Sequence, residues 1–260
     1  MNTILLQGYG LVAVLLIVLY AIQWKTGNAA ISDAGWTGGM ALLTAWFLLH
    51  LAEPTLRNGI IASLAIMWAV RLTHHVIYYR VIGKPEDGRY AAMRAYWGKR
   101  ANLHFFWFFQ GQAVVAFLFA MPILVSLRAP RTGMELWDWA GIVIWVIAVG
   151  GEFIADHQLE TFRAANRGKT CRVGLWKYSR HPNYFFEWLH WFAYVAFSMG
   201  SPYWYVAALG PVVMLFFLFK VTGIPYTERQ ALKSRGDDYR DYQRTTSVFF
   251  PWPPRAGSGE

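Results

Sequence analysis

Long apolar segments alternate along this chain with short segments that are rich in charge. The stretch from Ile4 to Gln23 holds no charged residue, and the stretch from Phe105 to Leu127 is a second run of the same kind. A helix needs roughly 20 apolar residues to cross the hydrocarbon core of a bilayer, and both runs are long enough. The pattern predicts an all-α, integral membrane bundle of about seven transmembrane helices, near residues 4–23, 36–53, 58–77, 105–127, 137–158, 184–199 and 203–221.

Composition agrees with a membrane protein. Of the 260 residues, 56% are hydrophobic and 15% are charged, whereas a soluble domain carries about a quarter charged residues. The length suits one transmembrane domain over residues 1–260, with a C-terminal cytoplasmic segment at 222–260. Neither a basic region nor a small-residue cleavage site follows Met1, so we expect the first span to be retained.

Charge predicts the orientation of the bundle. The formal net charge is +9, and most Lys and Arg residues fall between the third and fourth predicted spans, between the fifth and sixth, and after the seventh. In a seven-span chain these segments share one side, and cytoplasmic loops are the basic ones. We therefore expect a multi-pass protein with its N-terminus outside and its C-terminus in the cytoplasm, in the inner membrane if the source is bacterial.

Several classes of site are not expected. The single cysteine, Cys171, excludes an internal disulfide, and spaced Cys/His zinc patterns are absent, so we predict no metal site. No soluble domain presents the basic charge as a nucleic-acid reader, so nucleic acid is not an expected partner. The bilayer is the expected partner, and no obligate protein partner is evident.

The most specific motif extends from Gly174 to Glu187. Arg180 and His181 precede Pro182, and proline favours the first turn of a helix. A helix start offers free backbone N–H groups and partial positive charge, which together with these side chains suit an anion or phosphate. Glu187 follows Asn183 by four residues, so both lie on one helix face inside the predicted sixth span.

A second polar seam enters the bundle at the end of the fifth span. Glu152, Asp156, Glu160 and Arg163 recur at spacings of four, four and three residues, which places them on one face of a helix. Acids at this depth suit ribose hydroxyls or a cationic partner, and a set of salt bridges at a helix end is the alternative.

Four segments of the chain resemble bacterial members of the steroid 5α-reductase family, over a region that runs from Asp33 to Trp252. They are KPEDGRY at 84–90, FFQGQ at 108–112, GLWKYSRHPNYFFE at 174–187 and YRDYQRTTSVFFPW at 239–252. The resemblance implies a seven-helix membrane reductase that uses NADPH. Its expected reaction is reduction of the C4=C5 double bond of a 3-oxo-Δ4 steroid or a similar hydrophobic enone, with the cofactor entering from the cytoplasm.

The resemblance also implies a set of cofactor-binding residues. NADPH carries a pyrophosphate and a 2′-phosphate, which call for several Arg or Lys donors. A Gly-x-Gly-x-x-Gly fingerprint is absent, so a Rossmann site is not expected. The matching positions are Glu86, Asp87, Arg89, Tyr90, Gln110, Asp156, Arg163, Lys169, Arg172, Tyr178, Arg180, His181, Asn183, Tyr184, Glu187, Tyr226, Arg229 and Tyr239.

Three further residues are expected to be catalytic by comparison with that family. There, a glutamate on the second helix and a tyrosine on the third approach the substrate ketone and stabilise the developing enolate, which is electrostatic catalysis in a dry site. Glu53 matches the glutamate, and Trp68 stands where the tyrosine is expected. Arg71, a charge within an apolar span, is expected to support Glu53 or the cofactor.

Two other hypotheses stay open. Membrane methyltransferases of the isoprenylcysteine and phospholipid types also carry Arg-His-Pro-x-Tyr before a membrane helix and bind S-adenosylmethionine there. Segment 84–90 and the C-terminal Phe-Pro-Trp favour the reductase. A non-catalytic bundle that binds or transports lipid is the third hypothesis, and the acid-rich motifs on the cytoplasmic side argue against it.

Overall fold

The computed structural model describes residues 1–221 and 223–255, so part of the predicted cytoplasmic segment, Thr222 and residues 256–260, lies outside it. Within the described residues the regular structure is entirely helical. The α-helices, numbered α1 to α10 in chain order, are Asn2–Thr26, Ile31–Leu51, Leu56–Val76, Gly88–Trp97, Ala101–Leu127, Leu136–Ala165, Pro182–Ser198, Trp204–Phe216, Ile224–Arg235 and Asp237–Thr245. Helices α3 and α8 each continue into a π-helical turn, at Ile77–Val81 and Phe217–Val221.

Five helical stretches of the described chain are long and apolar enough to cross a membrane. They are Asn2–Thr26, Leu56–Val81, Gly88–Leu127, Leu136–Ala165 and Trp204–Arg235. The prediction of an all-helical, multi-pass membrane protein is thereby confirmed at this coarser level. The count of seven spans, the orientation and the single-domain assignment stay predictions.

The chain forms two compact units. The first comprises Met1–Glu135 and Phe197–Ala207, and the second comprises Leu136–Ala196 and the chain from Ala208 onward. In the first unit α1 and α2 approach closely because α2 carries glycines where they meet: a Cβ at Gly35 would lie 2.7 Å from side-chain atoms of Leu16, and one at Gly39 would lie 2.9 Å from Val12. Small residues allow such close packing between membrane helices.

Opposite ends of the first unit are tied by different polar contacts. At one end the Asn28 side chain, between α1 and α2, donates to the carbonyl of Lys84 at 3.4 Å, and Arg89 pairs with Asp33 at 2.9 Å. At the other end Arg57, fully buried in the first turn of α3, donates to the carbonyls of Ser126 at 3.0 Å and Phe197 at 2.6 Å. The α1–α2 junction and the start of α3 therefore lie at opposite ends of this unit.

Candidate functional site

Helix α7 begins at the motif that the sequence singles out. Pro182 is its first residue, a position where the missing N–H of proline costs nothing. The turn before it is fastened to the C-terminal segment, since the Arg180 N–H donates to the Ser247 carbonyl at 2.8 Å and the Ser179 hydroxyl to the Phe249 carbonyl at 2.8 Å.

Glu228 on α9 is the centre of a network that engages this motif. Its carboxylate accepts from Arg180 Nε at 2.7 Å and from Gln243 Nε2 at 2.9 Å, and it lies 3.3 Å from Nε2 of His181. Arg180 also donates to the carbonyls of Gln243 and Thr246, at 3.0 Å and 2.8 Å. Arg180 therefore holds the C-terminal segment against the start of α7, and its charge is matched within the second unit.

Burial sets the protonation of His181, which is 2% exposed. Removal from water disfavours the imidazolium and lowers the pKa of His181 below its ordinary value; the charge of Arg180 acts in the same direction, and the hydrogen bond and charge of Glu228 oppose it. Because burial is the largest influence, His181 is neutral at neutral pH.

Two predicted cofactor residues on neighbouring helices meet at the beginning of α7. The Asn183 side-chain nitrogen donates to Asp156 Oδ1 of α6 at 3.1 Å. One turn deeper, Glu187 is 8% exposed and accepts from the Trp191 indole at 3.3 Å. Tyr184, beside Asn183, lies with its hydroxyl 3.3 Å from that of Thr227. Polar groups of α6 and α7 thus form a line that enters an apolar part of the unit.

Helix α10 engages Arg172 in the same unit. Arg172 pairs with Asp238 at 2.8 Å and with Asp241 at 2.7 Å. Asp238 accepts from the Thr170 N–H at 2.9 Å. The hydrogen bonding of Thr170 lowers the pKa of Asp238, with Arg172 acting in the same direction. Arg172, like Arg180, is therefore used to fasten the C-terminal segment.

The remaining predicted residues of the second unit differ in exposure. Arg163, Lys169, Tyr178 and Arg229 are exposed, Tyr226 is half-buried, and Tyr239 is buried. Arg163 pairs with Glu160 at 3.2 Å, and Arg229 donates to the Pro225 carbonyl at 3.2 Å. Both are single contacts at the surface, which exposed guanidinium groups readily exchange.

The first unit gathers the predicted residues of segment 84–90 into a network of its own. Glu86 pairs with Arg94 at 2.7 Å, Asp87 caps α4 by accepting from the Arg89 N–H at 2.9 Å, and the Tyr90 hydroxyl donates to Asp33 at 2.6 Å. These contacts join α4 to the α1–α2 junction. Gln110 is half-buried on α5.

The three predicted catalytic residues are spread along α3 and the connector before it. Glu53 is exposed in the α2–α3 connector, whereas Trp68 is fully buried and its ring packs edge-on against Trp36. Arg71 lies 15 residues beyond Leu56, about 22 Å along the helix axis. Helix α3 therefore does not bring Glu53 and Arg71 together.

Sequence reasoning missed Glu228, His190 and Tyr194. Glu228 lies between Tyr226 and Arg229, which were predicted to bind the cofactor, but Glu228 itself was not among the predicted residues. His190 and Tyr194 are both 0% exposed, and the Tyr194 hydroxyl lies 3.0 Å from His190 Nε2. The available signal was the spacing of Glu187, His190 and Tyr194, which puts three polar side chains on one face of an apolar helix.

Comparison with known proteins gives two curated relatives of interest. The uncharacterized protein C594.04c of Schizosaccharomyces pombe is 27% identical over 272 residues, which cover 90% of this chain and 76% of that protein. Methanethiol S-methyltransferase of Mycobacterium tuberculosis is 27% identical over 148 residues, which cover 52% of this chain and 56% of that enzyme. No solved structure matches. Residues 19–246 match the model of the family described as protein of unknown function DUF1295, and the chain therefore belongs to the DUF1295 family.

Proposed function

We propose that this chain is a membrane-embedded reductase that binds NADPH in its second unit and reduces the conjugated C=C bond of a hydrophobic enone, 3-oxo-Δ4 steroids included. The observation that carries the proposal is the contact of Asn183 with Asp156 at 3.1 Å, with buried Glu187 one turn deeper on α7. Buried acids and amides inside a membrane bundle are costly, and they commonly mark a site for a polar ligand.

The chemistry of these three side chains fits the nicotinamide half of the cofactor. Asn183 offers both a donor and an acceptor, as a carboxamide requires, and Glu187 offers an acceptor for its N–H₂ group. Asp156 is suited to ribose hydroxyls. When bound, NADPH supplies the hydride that becomes bonded to the β-carbon of the enone. The protein's part is to orient the two reactants and to exclude water from them.

The phosphates of NADPH need different binding residues from the arginines that the sequence motif indicated. Arg172 and Arg180 are engaged by acids and carbonyls of the C-terminal segment. We therefore assign the phosphates to exposed cations of the same unit, namely Arg163, Lys169 and Arg229. A phosphate bound bidentately by an arginine is a stronger partner than the single surface contacts that Arg163 and Arg229 make now.

We also propose that seven helices span the membrane, with the basic segments in the cytoplasm. Helix α2 is not one of the five stretches described above, yet it has 21 residues and so extends about 31 Å, the thickness of the hydrocarbon core. Its two ends lie at opposite ends of the first unit, which supports a complete crossing. The basic segments that follow α3, α6 and α8 then share one side.

Ligand stabilisation and turnover test the proposed activity. We expect NADPH to raise the melting temperature of the purified protein in nanodiscs, because a ligand that binds only the folded state stabilises it. A panel of enones, a 3-oxo-Δ4 steroid among them, should then cause oxidation of NADPH, followed by its absorbance. Absence of both effects would refute the reductase proposal.

Methyl transfer is the second candidate, and one finding favours it. The matched relative from M. tuberculosis is by name a methanethiol S-methyltransferase, and S-adenosylmethionine shares an adenosine with NADPH. Its ammonium and ribose groups would also suit Asp156 and Glu187. Stabilisation by S-adenosylmethionine but not by NADPH, with transfer of a labelled methyl group to a thiol, would establish this candidate instead.

A further inference from the structure

Reduction of an enone requires a proton as well as a hydride, and the two residues aligned with the ketone-contacting positions of the reductase family do not supply one. Glu53 is exposed outside α3, and Trp68 offers an indole N–H that donates a hydrogen bond but does not release its proton readily. A proton donor in the buried part of the second unit would complete the reaction.

Helix α7 contains a buried, hydrogen-bonded pair with the required chemistry. The Tyr194 hydroxyl lies 3.0 Å from His190 Nε2, and both residues are 0% exposed. Their rings meet edge-on, with centroids 5.0 Å apart, and Trp191 packs against both. The pair is therefore fixed in orientation, which a proton-transferring group needs.

The same helix face connects the pair to the proposed cofactor site. Asn183, Glu187, His190 and Tyr194 follow one another at spacings of four, three and four residues, so they share a face. Tyr194 lies seven residues deeper than Glu187, about 10 Å along the axis. The ketone oxygen of an enone lies beyond the carbon that receives the hydride, so a donor for that oxygen belongs deeper than the residues that hold the nicotinamide.

We propose that Tyr194 is the proton donor to the substrate ketone and that His190 is its proton relay. This inference rests on the proposed reductase function. As the hydride adds to the β-carbon, the π electrons of the C=C bond move through the α-carbon onto the carbonyl oxygen. The Tyr194 O–H bond breaks and its proton passes to that oxygen. His190 returns its Nε2 proton to the phenolate and takes up a solvent proton at Nδ1, and the enol tautomerises to the saturated ketone.

The atoms and charges of this step balance as they do in any enone reduction. The enone gains one hydride and one proton, NADPH is oxidised to NADP⁺, and one proton is consumed from solvent. Tyr194 ends as it began, and His190, left as the Nδ1–H tautomer, returns to the Nε2–H form by losing that proton to solvent and gaining another from solvent at Nε2. A donor placed at the developing oxyanion also stabilises it in the surrounding apolar medium.

The test compares Tyr194→Phe and His190→Gln with Tyr242→Phe. Tyr242 is an equally buried tyrosine of the same unit, and its hydroxyl donates to the carbonyls of Trp176 and Ser179. We expect Tyr194→Phe to lower kcat about 100-fold or more, the size of general acid catalysis, with NADPH affinity unchanged. His190→Gln should lower kcat less and raise the solvent deuterium isotope effect, because reprotonation becomes slow.

A binding measurement separates proton donation from packing. A phenol with the ring system of the substrate mimics the enol, and Tyr194→Phe should weaken its binding about tenfold through loss of one hydrogen bond. Tyr242→Phe should lower the melting temperature and leave both phenol affinity and the isotope effect as in the parent protein.

Two results would overturn the proposal, and they differ. If the parent protein reduces enones and Tyr194→Phe retains more than a third of its kcat, the relay is refuted while the reductase function stands. If the parent protein reduces none of the enones, the function and the relay fail together.

Discussion

At the scale of single residues, Arg180 and His181 of the Arg-His-Pro sequence contact other residues of the same chain. Arg180 joins three parts of the C-terminal segment through Glu228 and two backbone carbonyls. The motif predicted an anion site from the sequence, but its arginine instead forms a buried ion pair and further hydrogen bonds. Its loss should therefore appear first as a loss of stability.

Glu228→Gln tests this role. The side chains of Arg180 and Glu228 are 11% and 16% exposed, and breaking a buried pair by removing one partner typically costs about 3 kcal/mol or more. We expect a clear fall in melting temperature. Asp237→Asn is the control, because its pair with Arg240 is exposed and such pairs contribute little. Equal melting temperatures for the two variants would contradict the role of Glu228.

His181 predicts a dependence of stability on pH. Burial lowers the pKa of His181 in the folded protein, whereas an unfolded histidine titrates near its ordinary value of about 6.5. As the pH falls below about 6.5, the unfolded chain binds the proton first, and the free energy of unfolding declines until the pH has passed the folded pKa. The contribution of His181 is therefore present at neutral pH and lost in acid.

Melting temperatures between pH 7.5 and 5 measure this effect. Carboxylates titrate lower, near pH 4, so they contribute little in that window. The parent protein should lose more stability than His181→Gln over the same interval. Parallel curves for the two proteins would show that His181 is not the group responsible.

At the scale of elements, the apolar pattern predicted where helices lie but not how they end. The runs at 58–77 and 105–127 correspond to Leu56–Val76 and Ala101–Leu127, because burial in lipid demands an unbroken apolar helix. The π-helical turn after α3 depends on packing that no local pattern encodes. The partners of Arg172 and Arg180 lie 48 to 69 residues away along the chain. The charge pattern therefore identified these arginines, but it could not show which residues they bind.

Neighbouring glycines on α6 give a prediction about how α6 and α7 pack. A Cβ at Gly151 would lie 2.4 Å from the Phe186 ring of α7, whereas one at Gly150 meets nothing within 4 Å. We expect Gly151→Ala to destabilise the protein by about 1–3 kcal/mol through overpacking. Gly150→Ala, the same chemical change one residue away, should be neutral or stabilising by up to about 1 kcal/mol. Thermal unfolding of both variants measures the difference. A Gly150→Ala variant less stable than Gly151→Ala would be inconsistent with this packing.

At the scale of the whole molecule, the proposed topology predicts which face of the membrane each connector occupies. If α2 crosses the bilayer, Lys25 lies on the cytoplasmic side and Glu53 on the opposite side. If α2 does not cross, both lie on the same side. Both residues are exposed, so a thiol placed there will react with reagents that reach it.

Single cysteines at positions 25 and 53 provide the measurement. The natural Cys171 is buried and is replaced by alanine to give a background without thiols. In intact cells a membrane-impermeant maleimide should label Glu53→Cys and not Lys25→Cys, and it should label both after lysis. Labelling of both positions in intact cells would exclude the seven-span arrangement.

The buried Arg57 has a consequence for how the chain is assembled. Its partner carbonyl on Phe197 follows it by 140 residues, which a ribosome needs roughly 7–28 s to synthesise. During that interval the guanidinium cannot make this bond, and an ionised side chain is costly within lipid. In the nascent chain, α3 must therefore stay near the water interface, or bound to the insertion machinery, until the C-terminal end of α7 has been synthesised. A product truncated before that point would retain an unmatched cation, and we expect cellular quality control to remove it.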